Sequence, residues 1–155
     1  KGRIGLMTAP CGVNRNLKST VDIIRQRYRL SALYACEHGI RGDAQAGVKV
    51  DTRIDAETGV PVFSVYGQTQ RMTEEMLDAF DVFVFDMQCV GVRFWTFLYS
   101  LAYAMEACAA AGKPVVVLDR INPTGAHRVS GGTCDAEHIG AMTVGESRAR
   151  LMGQR

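Results

Sequence analysis

The chain lacks a long hydrophobic run. No stretch reaches the roughly 18 apolar residues that a membrane span needs, and the most apolar segment, 94–111, is interrupted by Glu106. It also lacks an excess of one charge. Eighteen Lys and Arg stand against sixteen Asp and Glu, for a net charge of +2. That balance excludes a protein that coats nucleic acid, which carries a strong basic surplus. Lysine is scarce, at four residues against fourteen arginines. High-GC coding bias accounts for that skew as well as carboxylate binding does.

Cysteine is present but unpaired in pattern. Cys11, Cys36, Cys89, Cys108 and Cys134 make an odd set with no CxxC. This excludes a disulfide framework and a dithiol redox pair, and predicts free thiols in a reducing compartment. Cys134 and His138 have the spacing of half a zinc site, but no second pair accompanies them, so no metal is expected. The chain opens Lys1-Gly2-Arg3 and runs straight into an apolar stretch, without a signal-peptide pattern or an initiating Met. The expectation is a processed chain or a fragment.

Several chemical signatures are missing too. No GxGxxG follows the first strand, which excludes the dinucleotide fingerprint. Gly112-Lys113 is followed by Pro114, so it is no phosphate-binding loop. The nearest approach to a nucleophile elbow, Gly145 to Ala149, has Glu and Arg around Ser147 and no strong strand before it. No cofactor is expected.

What is there is a repeated strand–turn–helix pattern. The 155 residues suit one domain, and 47% apolar with 22% charged residues is a globular balance. Residues 4–8, 30–35, 60–66, 82–86 and 115–118 are short apolar runs that read as strands. Residues 16–28 carry Leu17, Val21, Ile24 and Tyr28 at helical spacing, with Ser19 or Asn16 as the cap. Thr73 caps a second helix whose first turn holds Glu74 and Glu75. The third helix spans 94–111 and stops at Gly112 and Pro114. Strands apolar on both faces, alternating with helices and joined by no tight hairpin, predict a parallel sheet covered on both sides. The fold expected is α/β, doubly wound and mainly parallel, over residues 1–132. Residues 133–155 read as a truncated tail, in which Thr143 and Glu146 form a capping box.

In such a sheet, ligands bind beyond the carboxyl ends of the strands. The polar residues that fall there are Thr8, Asn14, Glu37, His38, Arg41, Asp43, Tyr66, Gln68, Gln88, Arg93, Arg120 and Asn122, together with Asp86 and Asp119. That set points to a small-molecule or sugar site. Glycoside hydrolysis needs one group to protonate the leaving oxygen and usually a second as base or nucleophile. Glu37 follows a buried strand, where desolvation raises the pKa as a general acid requires. Asp43, Asp86 and Asp119 are its possible partners. Each Asp also suits the plainer work of holding a loop by backbone hydrogen bonds. Trp95, Phe97 and Tyr99 on the long helix read as core, with Trp95 near enough to the site to stack on a sugar.

The segment Glu37-His38-Gly39-Ile40-Arg41-Gly42-Asp43-Ala44-Gln45-Ala46-Gly47 resembles a motif of the exo-β-N-acetylmuramidase family. Thr8 to Val13, Val62 to Gly67, Phe85 to Phe94 and Leu118 to Pro123 resemble its other motifs in the same order. The resemblance implies a Rossmann-like N-terminal domain, a C-terminal domain beyond this chain, and a cleft between them. It implies release of N-acetylmuramic acid from the non-reducing end of peptidoglycan fragments. Glu37 takes the place of the family's acidic catalytic residue, with Asp86 and Asp119 as further catalytic candidates. His38, Arg41, Asp43, Tyr66, Gln88, Arg93 and Asn122 are the expected substrate-binding residues. Arg41 and Arg93 are candidates for gripping the lactyl carboxylate of muramic acid. The expected partner is a peptidoglycan-derived sugar, with neither nucleic acid nor membrane span, and a second domain missing or separately encoded. The chain departs from the family pattern at Ala9, Cys36, Cys89, Trp95, Phe97 and Ala141. The alternative expectation is therefore an inactive sugar-binding or structural remnant.

Overall fold

The computed structural model describes residues 2–36, 39–42, 53–65, 71–92, 95–125 and 127–131. Six strands and three helices follow in the order β1 (Arg3–Thr8), α1 (Thr20–Arg27), β2 (Arg29–Ala35), β3 (Arg53–Ile54), β4 (Pro61–Ser64), α2 (Glu74–Asp78), β5 (Val82–Asp86), α3 (Phe97–Ala110) and β6 (Val115–Val117). They form one sheet in the order β3-β4-β2-β1-β5-β6. All neighbours are parallel except β3 and β4. The fold is the expected α/β class.

The central strands are apolar because both faces are covered. On one face Leu6, Leu33, Val62 and Val84 pack with Val21 and Ile24 of α1. On the other, Met7, Tyr34, Phe63, Phe83 and Phe85 pack with Met76 of α2 and with Phe97, Ala104 and Cys108 of α3. Tyr34 centres this second core. Its ring lies 5.3 to 5.8 Å from those of Phe63, Phe80 and Phe83. Its hydroxyl donates to the Met76 carbonyl, and burial pushes its pKa up. Gly5 makes this packing possible. A Cβ there would stand 2.8 Å from the Phe80 ring and 2.9 Å from the Tyr34 ring.

Three local expectations are corrected. The first helix begins at Thr20, not Asn16. The Asn14 carboxamide accepts the backbone N–H groups of Asn16 and Lys18, and that turn displaces the helix start. Leu17 therefore sits at φ 58° and is 80% exposed, off the core face. Ser19 takes the cap, accepting from the Val21 N–H. The third helix begins at Phe97, so Trp95 precedes it. The β3–β4 hairpin was not expected, because two residues of strand carry no readable alternation. Its turn is set by Gly59, at φ 74°, and by the hydrogen bond from the Gly59 N–H to the Asp55 carbonyl.

The chain moves from β1 to β2 through α1 on one face, then returns past β1 to β5 through α2 on the other. The strand order thus reverses between β1 and β5. In doubly wound folds that reversal opens a crevice at the carboxyl edge. Beside α1 the sheet stays open, and Val82, Val84, Val116 and Leu118 line a groove of about 570 Å³ whose polar lining is Asn14, Thr20, Asp86 and Arg120. Among the described residues, no helix is long and apolar enough to cross a membrane.

Candidate functional site at the carboxyl edge

The crevice between β1 and β5 is filled from within. Thr8 and Asp86 are register partners at the ends of these strands, and both are buried. The Thr8 hydroxyl donates to the Asp86 carbonyl at 3.0 Å. One Asp86 carboxylate oxygen accepts from the Thr20 hydroxyl at the first residue of α1. The other pairs with Nη2 of Arg120, which reaches across from the segment after β6. In dinucleotide folds a phosphate uses the helix N-terminus at this place. Here a carboxylate of the chain itself lies beside it. Gly12 permits the close fit, since a Cβ there would stand 2.1 Å from the Thr8 hydroxyl and 3.1 Å from the Asp86 carboxylate.

The sequence reading put Asp86 among the catalytic carboxylates. The structure gives it no exposed surface, with one oxygen accepting from Thr20 and the other in an ion pair with Arg120 that makes no hydrogen bond. This arrangement holds Arg120 in place; it does not present an acid to a ligand.

Asp119, by contrast, is exposed, and its carboxylate accepts only the Arg120 backbone N–H, at 2.9 Å, among the described residues. Asn122 is engaged in loop bracing. Its carboxamide accepts from the Thr124 N–H and hydroxyl and donates to the Gly125 carbonyl. It packs on Gly91, at φ 71°, where a Cβ would come within 2.4 Å of the carboxamide nitrogen. The loops after β5 and β6 are thereby locked together. Gln88 donates to the Cys89 carbonyl at 2.7 Å, while its own carbonyl accepts the Trp95 indole N–H at 3.1 Å. Trp95 packs against Phe97 with ring centroids 5.1 Å apart, which is its core role.

Arg41 is also a brace. Its guanidinium donates through Nε and Nη2 to the two oxygens of Asp55, at 3.1 and 3.0 Å, and Nη1 lies 2.9 Å from Glu57. Asp55 further accepts from the Thr58 N–H and hydroxyl. A guanidinium already flanked by two carboxylates has little net charge to offer an anionic ligand. It ties the loop after β2 to the hairpin turn instead. Asp55, Glu57 and Thr58 were missed as partners in the sequence; Arg120 was expected at this edge, but not as the partner of Asp86. The Asp-x-x-Thr-Gly turn at 55–59 was the available signal for the first three.

The same cluster gives a pH prediction. Hydrogen bonds from Arg41, and then from Thr58, outweigh desolvation and hold the Asp55 carboxyl at about 2, below its ordinary 3.8. A folded-state pKa below the unfolded one stabilises the protein above the unfolded value. The contribution is fully present above about pH 5 and is lost as pH falls through 3.8 toward 2. Urea melts between pH 6 and pH 2 check this. Asp55→Asn should be less stable at pH 6 and should lose less stability on acidification than the parent.

Glu37, His38, Asp43, Tyr66 and Arg93 lie outside the described residues, as do Cys134 and His138. The strand before Glu37, β2, ends at Ala35 on the same edge as Asp86. Among the described residues, no three His, Cys, Asp or Glu side chains gather where a metal ion would sit.

Comparison with known proteins bears on this edge. The family model for the N-terminal part of exo-beta-N-acetylmuramidase NamZ matches residues 4–151. The chain belongs to the NamZ N-terminal family. It is 48% identical over 157 residues to the peptidoglycan beta-N-acetylmuramidase NamZ of Bacillus subtilis strain 168. That match covers 93% of this chain and 38% of the relative. A crystal structure of a DUF1343 family protein from Bacteroides fragilis NCTC 9343 superposes with a TM-score of 0.81 at 41% identity. A second DUF1343 structure from the same strain gives 0.75 at 31%. Each covers 92% of this chain, and this chain covers 36% of each. The chain thus spans little more than a third of the relatives it matches.

Proposed function

We propose that this NamZ N-terminal chain forms one wall of a glycoside hydrolase site that releases N-acetylmuramic acid from the non-reducing end of peptidoglycan fragments. The observation that carries the reading is the family match across residues 4–151, which includes the Glu37 segment and the strand ends of the carboxyl edge. Glu37 serves as the general acid that protonates the leaving oxygen. Asp119, the exposed carboxylate at that edge, is the partner this reading favours as base or nucleophile. His38, Asp43, Tyr66, Gln88 and Arg93 contribute contacts to the sugar. Asp86, Arg41 and Asn122 act as positioning residues. Residues 1–132 form the Rossmann-like unit, and the segment beyond leads toward a second domain that supplies the opposite wall.

A second reading has its own support. The chain spans only 36 to 38% of its relatives, and an isolated wall binds sugar weakly without turnover. Release of muramic acid from a chromogenic muramic-acid glycoside by the full-length protein tests the first reading. Binding without release favours the second, and neither binding nor release contradicts both.

A further inference from the structure

We propose that the pocket at the start of α3 receives the neutral acylamino group carried by the sugar carbon next to the reacting one, that its walls limit the length of the acyl chain, and that Asp119 accepts the amide N–H; the inference rests on the function proposed above. The pocket, of about 90 Å³, lies at the carboxyl edge between the ends of β5 and β6 and the start of α3. Met87, Leu98, Leu101, Val117 and Leu118 give it apolar walls, and its polar lining includes Gln88 and Asp119. A water molecule's share of liquid volume is about 30 Å³, so the space holds roughly three heavy atoms. That is too small for a pyranose ring. The carbonyl carbon, carbonyl oxygen and methyl group of an acetamido group fill it and leave the nitrogen at the mouth.

The polar lining suits an amide and opposes an anion. One end of the Arg120 guanidinium is spent on Asp86 and the other is buried, so little positive charge reaches the pocket. Asp119 is exposed, and one of its oxygens accepts the Arg120 backbone N–H at 2.9 Å. Its second oxygen is left to accept an amide N–H, in a charge-assisted bond. The Gln88 carboxamide gives one N–H to the Cys89 carbonyl, at 2.7 Å, and keeps another for the carbonyl of the ligand. The place agrees with the chemistry. Asp119 is the carboxylate favoured above as base or nucleophile, so it stands at the reacting carbon. The acylamino group sits one ring atom away, and the pocket that Asp119 borders is the space it enters.

The test is selectivity for acyl length. Chromogenic glycosides of N-acetyl, N-propionyl and N-butanoyl muramic acid are given to the full-length protein, and kcat/KM is read for each. A methylene that a pocket cannot hold is worth about 10–200-fold, so the parent should lose about tenfold or more at each step. Leu98→Ala widens the pocket and should raise the ratio of N-butanoyl to N-acetyl turnover by about tenfold. Should that variant fail to fold, as judged by circular dichroism, Val117→Ala, on a half-exposed wall, takes its place. A second arm compares binding of methyl N-acetylmuramide with that of its 2-O-acetyl counterpart, which keeps the acyl group and lacks the N–H. Isothermal titration should show the parent favouring the amide by about tenfold, and Asp119→Ala should abolish that preference. A parent indifferent to acyl length, folded widened variants that keep the parental ratio, or an amide preference unchanged in Asp119→Ala overturns the inference and leaves the proposed function standing. A parent that cleaves none of the glycosides overturns both.

Discussion

Glu37→Gln in the full-length protein is expected to lower turnover of a muramic-acid glycoside by about 10²–10⁴-fold, with affinity nearly unchanged. General acid–base assistance is worth about that factor. Gln keeps the shape and hydrogen-bonding reach of Glu while removing the transferable proton. The loss should therefore fall on kcat, and KM should move little. A substrate whose leaving group needs no protonation gives an internal control. With a strongly acidic phenol as leaving group, the mutant should recover much of its bond-cleavage rate. Near-normal turnover with a poor leaving group would move the acid role away from Glu37.

Arg120→Met is expected to lower stability by about 3–5 kcal/mol, because it leaves the Asp86 charge buried without its cation. Asp86 has no exposed surface, so water cannot stand in for the guanidinium. For a domain of this size that loss lowers Tm by roughly 6–20 °C. Asp86→Asn alone should cost less. Asn still accepts from Thr20, and the Arg120 side chain, 32% exposed, retains access to solvent. Combining the two changes should recover the larger part of the loss, since a buried pair replaced together is often close to neutral. Thermal melts of the three variants measure this. Equal destabilisation by Arg120→Met alone and by the double change would show that the two side chains do not depend on each other.

The sheet was legible because its central strands are apolar on both faces. Val82 to Phe85 is an unbroken apolar run, buried beyond Val82, whereas Val115 to Val117, equally apolar, lies at the sheet edge with Val116 and Val117 exposed. Thr73 was legible as a cap for a similar reason, since its side chain and the acidic first turn act locally. Leu17 misled because periodicity ignores what a side chain two or three residues upstream does to the backbone; the Asn14 turn is stronger than one apolar position in register. The site divided along the same line. Chain direction and strand ends placed Asp86 and Asp119 on one edge, and no sequence pattern separates them. Their difference is tertiary. Arg120 lies 34 positions from Asp86 and Thr20 lies 66. Both partners reach Asp86 only because the strand order reverses beside β1. Arg41 looked like a ligand for an anion for the same reason, with Asp55 14 positions away in a hairpin too short to read.

The central claim is that the sugar binds at the carboxyl edge, beside a carboxylate–guanidinium pair that closes the crevice from within. Amide chemical-shift mapping with methyl N-acetylmuramide tests it most directly. The account predicts perturbations in 39–42, 87–92 and 118–122, after β2, β5 and β6. Gly2, Arg29, Asp81 and Lys113, around the amino ends of the strands, should stay unmoved. Perturbations confined to that opposite edge would contradict it.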